Sequence, residues 1–138
     1  MKCKDVLIVE DETEIRESLR ELLELEGYRV HIATNGQEGL KVLHSMPRPC
    51  IILLDLLMPV MDGSEFLRAK GDDDLIAAIP VAIVSGVSER PELTGGAVGF
   101  LRKPFDFEGL LRFIGPYCDQ ERELNAGEYK DTDPAKNI

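Results

Sequence analysis

The chain has 138 residues, of which 43% are hydrophobic and 30% charged, so it fits one globular domain with a sizeable core. Its 26 acidic and 16 basic residues give a net charge of -10, which disfavours direct binding to nucleic acid or anionic lipid. No apolar run approaches the roughly 20 residues that span a membrane, and the N-terminus meets acid too soon to be a signal peptide. The sequence therefore predicts a cytoplasmic protein without nucleic acid or membrane as direct partners.

Short apolar runs alternate with longer amphipathic segments along the chain, which is typical of a parallel sheet covered by helices. The predicted strands are 6–10, 28–33, 50–54, 81–84 and 99–101. The predicted helices are about 13–26, 36–45, 64–70 and 106–114. Thr13 is the expected N-cap of the first helix and Gly27 its C-terminal stop. These elements predict an α/β fold with a doubly wound parallel sheet and helices on both faces.

Polar residues follow the predicted strands at the point where each strand ends. Right-handed crossovers bring the carboxyl ends of parallel strands to one side of the sheet, here named the carboxyl edge. The residues expected at this edge are Glu10, Asp11, Glu12, Asp55, Ser85 and Lys103. Sheets of this kind bind their ligands there, so the functional site is expected among these side chains.

Three carboxylates, from Glu10, Asp11 and Asp55, would lie close together at the carboxyl edge. Like charges at that distance raise one another's pKa unless a cation lies between them. A hard divalent ion removes the repulsion, and Mg²⁺ suits a site with few protein ligands. The ionised Asp55 is then a nucleophile able to form an aspartyl phosphate, with Ser85 and Lys103 contacting the phosphoryl oxygens. The residues therefore predict a Mg²⁺-dependent phosphoryl acceptor.

Four motifs at four strand ends carry a family resemblance. "VLIVEDE", "LLDLLMPVMDG", "VSG" and "FLRKPF" occur in this order, and together they resemble the receiver domain of bacterial two-component response regulators, the CheY-like domains. The resemblance covers about residues 4–117. It implies a flavodoxin-like, five-stranded sheet with strand order 2-1-3-4-5.

The resemblance also implies a role for each metal and phosphate residue. Asp55 corresponds to the phosphoacceptor, and Glu10 and Asp11 correspond to the acidic pair that holds Mg²⁺ with it. The backbone carbonyl of Leu57 is implied as a further metal ligand. Lys103 corresponds to the phosphate partner, and the family pattern predicts a cis peptide bond between Lys103 and the following proline.

Two further residues correspond to the conformational switch of the family. Ser85 matches the switch hydroxyl, and the following Gly86 leaves room for a phosphoryl group. Phe100 matches the switch aromatic, although a plain core position explains its ring equally well. Glu12 is expected to be solvated rather than a direct metal ligand.

The sequence departs from the family pattern in two places. The segment between Ser85 and Lys103 is a few residues short and contains a proline and a Gly-Gly pair, so the fourth helix should be shortened. A family-typical dimer through that face is therefore in doubt. Leu57 and Val87 flank the path of an attacking water and are both apolar, which predicts slow self-dephosphorylation.

The expected organisation is a receiver domain at 1–118 followed by a polar, disordered tail at 119–138. Too few residues follow position 117 for an output domain. The predicted function is a signalling switch, phosphorylated by a sensor histidine kinase or a phosphotransfer protein and read by a downstream protein partner. Its chemistry would be limited to its own phosphorylation and dephosphorylation, so it is not predicted to be an enzyme. A whole small protein and a piece of a longer one remain equally compatible with the sequence.

Two other functions are compatible with such a fold. A phosphorylation-independent, receiver-like binding module would keep the fold but lack site residues, and none is missing here. A Mg²⁺-dependent phosphohydrolase needs an acid beside its nucleophile, and Leu57 stands at that position. The three cysteines, Cys3, Cys50 and Cys118, have no paired spacing and are expected to be reduced, passive thiols.

Overall fold

The computed structural model describes residues 3–86 and 95–118. Its elements are β1 (Asp5–Val9), α1 (Thr13–Leu25), β2 (Arg29–Ala33), α2 (Gly36–Ser45), β3 (Ile51–Leu54), α3 (Gly63–Gly71), β4 (Val81–Ser85), β5 (Ala97–Arg102) and α4 (Phe107–Cys118). The short helix predicted after β4, the apolar Val87 and the predicted tail at 119–138 lie outside the described residues. The helix named α4 here is therefore the one predicted at 106–114.

The five strands form one parallel sheet with the order β2-β1-β3-β4-β5, so the predicted topology is confirmed. Every residue of β1, β3 and β4 is buried, because helices cover the middle of the sheet on both faces. Strand β2 stands at one end of this strand order and is only partly buried, as its alternating sequence predicts. The strand ends that carry the site thus project from a rigid, close-packed centre.

Alternate residues of the strands pack into two separate cores. Val6 and Ile8 of β1 pack on the side of α1 and α4, where Leu23 and Ile114 are fully buried. Residues of the opposite parity pack on the side of α2 and α3, where Phe66 is fully buried. The period of two along each strand therefore produces the doubly wound, three-layer arrangement.

The predicted element ends lie within two residues of the observed ones, except at the end of α4. The N-cap of α1 is Glu12 rather than Thr13, and its backbone N–H donates to the Glu10 carboxylate at 3.2 Å. Helix α4 continues four residues beyond its predicted end at Ile114, through Pro116 to Cys118, because the Cys118 side chain is buried in the core. The start of α1 is thus set by a local hydrogen bond, whereas the end of α4 is set by burial in the core. None of the helices at 3–86 and 95–118 has both the length and the apolar composition of a membrane-spanning segment.

Candidate functional site

Backbone hydrogen bonds fix the site residues at the carboxyl edge. The N–H of Asp55 donates to the carbonyl of Val9 at 3.1 Å, which holds the end of β3 beside the end of β1. The N–H of Lys103 donates to the carbonyl of Ser85 at 2.9 Å, which holds the end of β5 beside the end of β4. The site therefore rests on sheet pairing, although its residues come from distant parts of the sequence.

The structure brings the three predicted carboxylates together. Glu10, Asp11 and Asp55 each offer an oxygen, and these oxygens lie within 4.8 Å of one another. Glu10 is 2% exposed and Asp55 is 7% exposed, so water cannot fully screen their charges. In the part of the chain that the structure describes, this is the only such group of potential metal ligands.

Burial raises the pKa of Asp55 above its ordinary value, and the neighbouring Asp11 carboxylate adds to the effect. The Lys103 ammonium and hydrogen bonds from the backbone N–H groups of Leu56 and Leu57 oppose this rise. Burial also raises the pKa of Glu10, and the charge of Asp55 acts in the same direction. Among residues 3–86 and 95–118, the protein therefore leaves the acidic cluster short of positive charge.

Lys103 contacts the cluster directly with its ammonium group. Its Nζ donates to Glu10 Oε1 at 3.0 Å and lies 3.9 Å from Asp55 Oδ1. One ammonium group cannot neutralise three carboxylates, so the cluster can accept a second positive charge. The peptide bond before Pro104 is cis, as predicted.

The donor set fits a hard divalent cation. All three side chains offer oxygen, which Mg²⁺ and Ca²⁺ prefer, and no histidine or cysteine belongs to the cluster. Leu57, whose backbone carbonyl is the fourth predicted ligand, lies in the loop after β3 with its side chain 68% exposed. A ligand role for that carbonyl stays a prediction.

The two predicted switch residues occupy the neighbouring strands. Ser85 ends β4 and is 1% exposed, so its hydroxyl lies inside the edge rather than in solvent. Phe100 is half-buried on β5, opposite Ile83, and packs against the core beneath α2 and α3. The guanidinium of Arg102 lies 6.0 Å from the centre of its ring. The ring thus lies between the core and the surface, as a side chain must if it is to move between a buried and an exposed position.

The loop after Asp55 has a constrained backbone. Val60 adopts a φ of 68°, which is strained for a β-branched residue. A Cβ at Gly63 would lie 2.6 Å from the carbonyl oxygen of Asp55, so only glycine lets α3 start this close to the site. The Asp62 and Glu65 side chains form a capping box at the same helix start. The loop is therefore held tightly above the cluster.

Sequence reasoning missed Arg16. Its guanidinium is nearly buried and donates to the carbonyl of Glu10 at 2.9 Å and to that of Asp11 at 3.4 Å. These hydrogen bonds hold the backbone of the acidic pair from behind. A signal was present in the sequence, because Arg16 lies three residues before Leu19 and therefore on the buried face of α1.

The sequence profile of the response regulator receiver domain matches residues 6–114. The response regulator MprA of Mycolicibacterium vanbaalenii is 41% identical over 113 residues, covering 77% of this chain and 46% of that protein. The chain thus spans about half the length of the curated relatives it matches.

Solved receiver structures have the same fold. The chemotaxis protein CheY4 of Vibrio cholerae superposes with a TM-score of 0.75 at 32% identity, covering 83% of this chain and 98% of that one. The response regulator TrrA of Thermotoga maritima, in complex with Mg²⁺-BeF, superposes with a TM-score of 0.73 at 30% identity and the same coverage. Motif order, strand order and overall similarity agree, and the chain belongs to the response regulator receiver domain family.

Proposed function

We propose that Asp55 accepts a phosphoryl group from a sensor histidine kinase or a phosphotransfer protein, and that the phosphorylated chain acts on a downstream protein partner. The observation that carries the proposal is the buried carboxylate cluster with Lys103 Nζ 3.9 Å from Asp55 Oδ1. A buried carboxylate that lies beside a cation, within a cluster that is incompletely neutralised, is suited to receive a phosphoryl group together with a metal ion.

In this proposal Asp55 Oδ attacks the phosphorus in line with the departing donor atom. Lys103 then transfers its hydrogen bond from Glu10 to one oxygen of the phosphoryl group, a movement that its present distances make short. The Ser85 hydroxyl donates to another oxygen. Backbone N–H groups of Leu56 and Leu57 keep the Asp55 carboxylate oriented for the attack.

Glu10, Asp11, Asp55 and the carbonyl of Leu57 would hold Mg²⁺ in this site. When bound, Mg²⁺ neutralises the carboxylates and the phosphoryl oxygens, so that Asp55 stays ionised. The fit is supported by the oxygen-only donor set and by the raised pKa values of Glu10 and Asp55. Arg16 keeps the backbone of the acidic pair in place throughout.

The readout is a population shift at the neighbouring strands. When Ser85 turns toward the phosphoryl group, Phe100 on the adjacent β5 is free to move inward, which changes the surface of β5. The acidic composition makes a protein, rather than nucleic acid, the direct partner of this surface. The partner is either a separate protein or a further part of a longer chain.

Intact-mass measurement with acetyl phosphate and Mg²⁺ tests the proposal. The wild type should gain the mass of one phosphoryl group, and Asp55→Ala should gain none. Asp5→Asn is the matched control, because Asp5 is also buried but lies at the opposite edge of the sheet. That variant should be phosphorylated like the wild type.

A folded wild type that gains no phosphoryl mass with Mg²⁺ present would contradict the proposal. The chain would then act as a phosphorylation-independent binding module. Phosphorylation of Asp55→Ala would show that another residue is the acceptor. A catalytic excess of inorganic phosphate over bound phosphoryl groups would instead indicate a hydrolase.

The exposed Leu57 should make the phosphorylated state long-lived, because its side chain cannot orient an attacking water. We expect Leu57→Asn to shorten the half-life of the phosphorylated protein several-fold, measured by loss of the phosphoryl mass after acetyl phosphate is removed. Leu57→Met keeps an apolar side chain and should leave the half-life unchanged. A wild type that decays faster than Leu57→Asn would refute the idea.

A further inference from the structure

Three thiols meet at the amino edge of the sheet, which we define as the side where the strands begin. Cys3 precedes β1, Cys50 directly precedes β3, and Cys118 is the last residue of α4. They are 7%, 8% and 0% exposed, respectively. Their spacing in sequence gave no sign of this arrangement, and the site around Asp55 makes no use of it.

Two of the thiols are in direct contact. The sulfur atoms of Cys50 and Cys118 lie 3.1 Å apart, and the Cys50 thiol also lies 3.1 Å from the carbonyl oxygen of Asp5. The Cys3 Sγ lies 3.9 Å from the carbonyl oxygen of Arg48 and 4.0 Å from that of Asp5. Because a disulfide joins its sulfurs at about 2 Å, an approach of roughly 1 Å would connect Cys50 and Cys118.

We propose that Cys50 and Cys118 are a redox modification site, which closes to a disulfide when a peroxide oxidises the chain and reopens with a thiol reductant. The proposal goes beyond phosphoryl transfer and does not depend on it. It replaces the expectation of passive thiols for these two residues, and Cys3 is the third thiol, which the proposed disulfide does not include.

The chemistry balances with one peroxide per disulfide. The first sulfur, as thiolate, attacks one oxygen of hydrogen peroxide, the O–O bond breaks, and the released hydroxide takes up the thiol proton as water. The resulting sulfenic acid is attacked at sulfur by the second thiol, and its hydroxyl leaves as a second water. The two sulfurs lose two electrons in total, which the peroxide oxygens accept.

The docked end of α4 controls access to the pair. The hydrogen bond between Cys50 and Cys118 and the burial of Cys50 raise the pKa of the Cys50 thiol. This thiol therefore stays protonated while α4 is docked. Pro116 lies two residues before Cys118 and cannot donate the backbone hydrogen bond to the preceding turn. The last turn of α4 is therefore the weak point, and its transient opening admits water and peroxide.

Intact-mass and free-thiol measurements on the full chain test the site. Reduced wild type treated with hydrogen peroxide should lose the mass of two hydrogen atoms, and its free thiols should fall from three to one. Dithiothreitol should reverse both changes. Peptide mapping should place the bond between Cys50 and Cys118.

Single variants identify the partners. Cys3→Ser should form the disulfide like the wild type, whereas Cys50→Ala and Cys118→Ala should not, with circular dichroism showing that each is folded. Alanine is chosen because it adds no polar group to the core. A wild type that keeps three free thiols, or a Cys50→Ala variant that forms an intramolecular disulfide, would overturn the proposal.

Pro116→Ala tests the route of access. It restores a backbone donor to the last turn, so disulfide formation should slow several-fold while the final product stays the same. An unchanged rate would contradict local opening of α4. Asp55→Ala should form the disulfide at the wild-type rate, so failure of this site and failure of the phosphoacceptor proposal are distinguishable.

Discussion

The carboxyl edge and the amino edge of the sheet each bury an aspartate, and the two carboxyl groups have opposite pKa shifts. At the carboxyl edge, burial and Asp11 raise the pKa of Asp55. At the amino edge, burial alone would raise the pKa of Asp5, but hydrogen bonds from Arg29 and His31 outweigh it and lower the pKa. The Asp5 carboxylate is thus stabilised by side chains at the amino edge, whereas the Asp55 carboxylate at the carboxyl edge is only partly neutralised by the described residues.

This contrast separates stability from function. Arg29 donates to both carboxylate oxygens of Asp5, at 3.1 and 3.0 Å, so the amino edge is complete by itself. At the carboxyl edge, the described residues include one lysine in contact with the three acids, and the loop after β3 contains a strained valine. Incomplete neutralisation and strain are what a site retains when a ligand is to complete it.

The largest expected effect is stabilisation of the carboxyl edge by Mg²⁺. At about 100 times its Kd, Mg²⁺ should raise the free energy of unfolding of the wild type by about 2.7 kcal/mol, measured by urea unfolding. Asp11→Asn should lose most of this gain, because one ligand is removed. Asp5→Asn should keep the full gain, since its carboxyl group lies at the other edge. Equal responses of the two variants would erase the contrast between the edges.

Lys70 is a buried cation at the amino edge of the sheet. It is fully buried, and its Nζ donates to the carbonyls of Ala77 and Gly95, which precede β4 and β5. Lys70→Met should lower the free energy of unfolding at pH 7 by about 2 kcal/mol, because both carbonyls lose a charged donor.

The pH dependence of this effect has a definite sign. Burial, with a smaller contribution from Arg48, lowers the pKa of Lys70 from 10.5 to about 8. Between these values the unfolded chain binds more protons than the folded one, so folding is favoured as the pH rises. Wild type should therefore gain stability relative to Lys70→Met from pH 8 to 10, measured by urea unfolding. A constant difference would show that the ammonium is not desolvated.

Asp5→Asn should have a smaller effect on stability. We expect a loss of about 1 kcal/mol at pH 7, because Arg29 is 66% exposed and water screens its charge. A lowered pKa stabilises the fold above the ordinary carboxyl value of about 4, and this contribution is lost as the pH falls through the folded-state value. The difference between wild type and variant should therefore shrink progressively as the pH falls below the ordinary carboxyl value.

An effect of similar size, but of opposite sign, is expected at the strained loop. Val60→Asn should raise the free energy of unfolding by about 1 kcal/mol, because asparagine tolerates a positive φ far better than valine. Val98→Asn, at an exposed position on β5, is the control for the change of side chain and should give no gain. A loss of stability in Val60→Asn would mean that the valine side chain makes a contact worth more than the strain.

The sequence determined where the carboxyl-edge residues lie, because parallel strands bring their carboxyl ends together whatever the details of packing. Glu10, Asp55 and Ser85 could be placed from strand ends alone. The apolar alternation also predicted both faces of the sheet and the edge position of β2. These features follow from the period of apolar residues along each element and from the right-handed crossovers between parallel strands.

Only the tertiary structure decided the contacts between distant residues. Lys103 pairs with Glu10 across 93 positions, and Cys50 meets Cys118 across 68. The burial of Lys70 and the extension of α4 depend in the same way on neighbours from other elements. Local pattern has no information on which side chains converge at a given point, because that depends on how helices pack across the whole sheet.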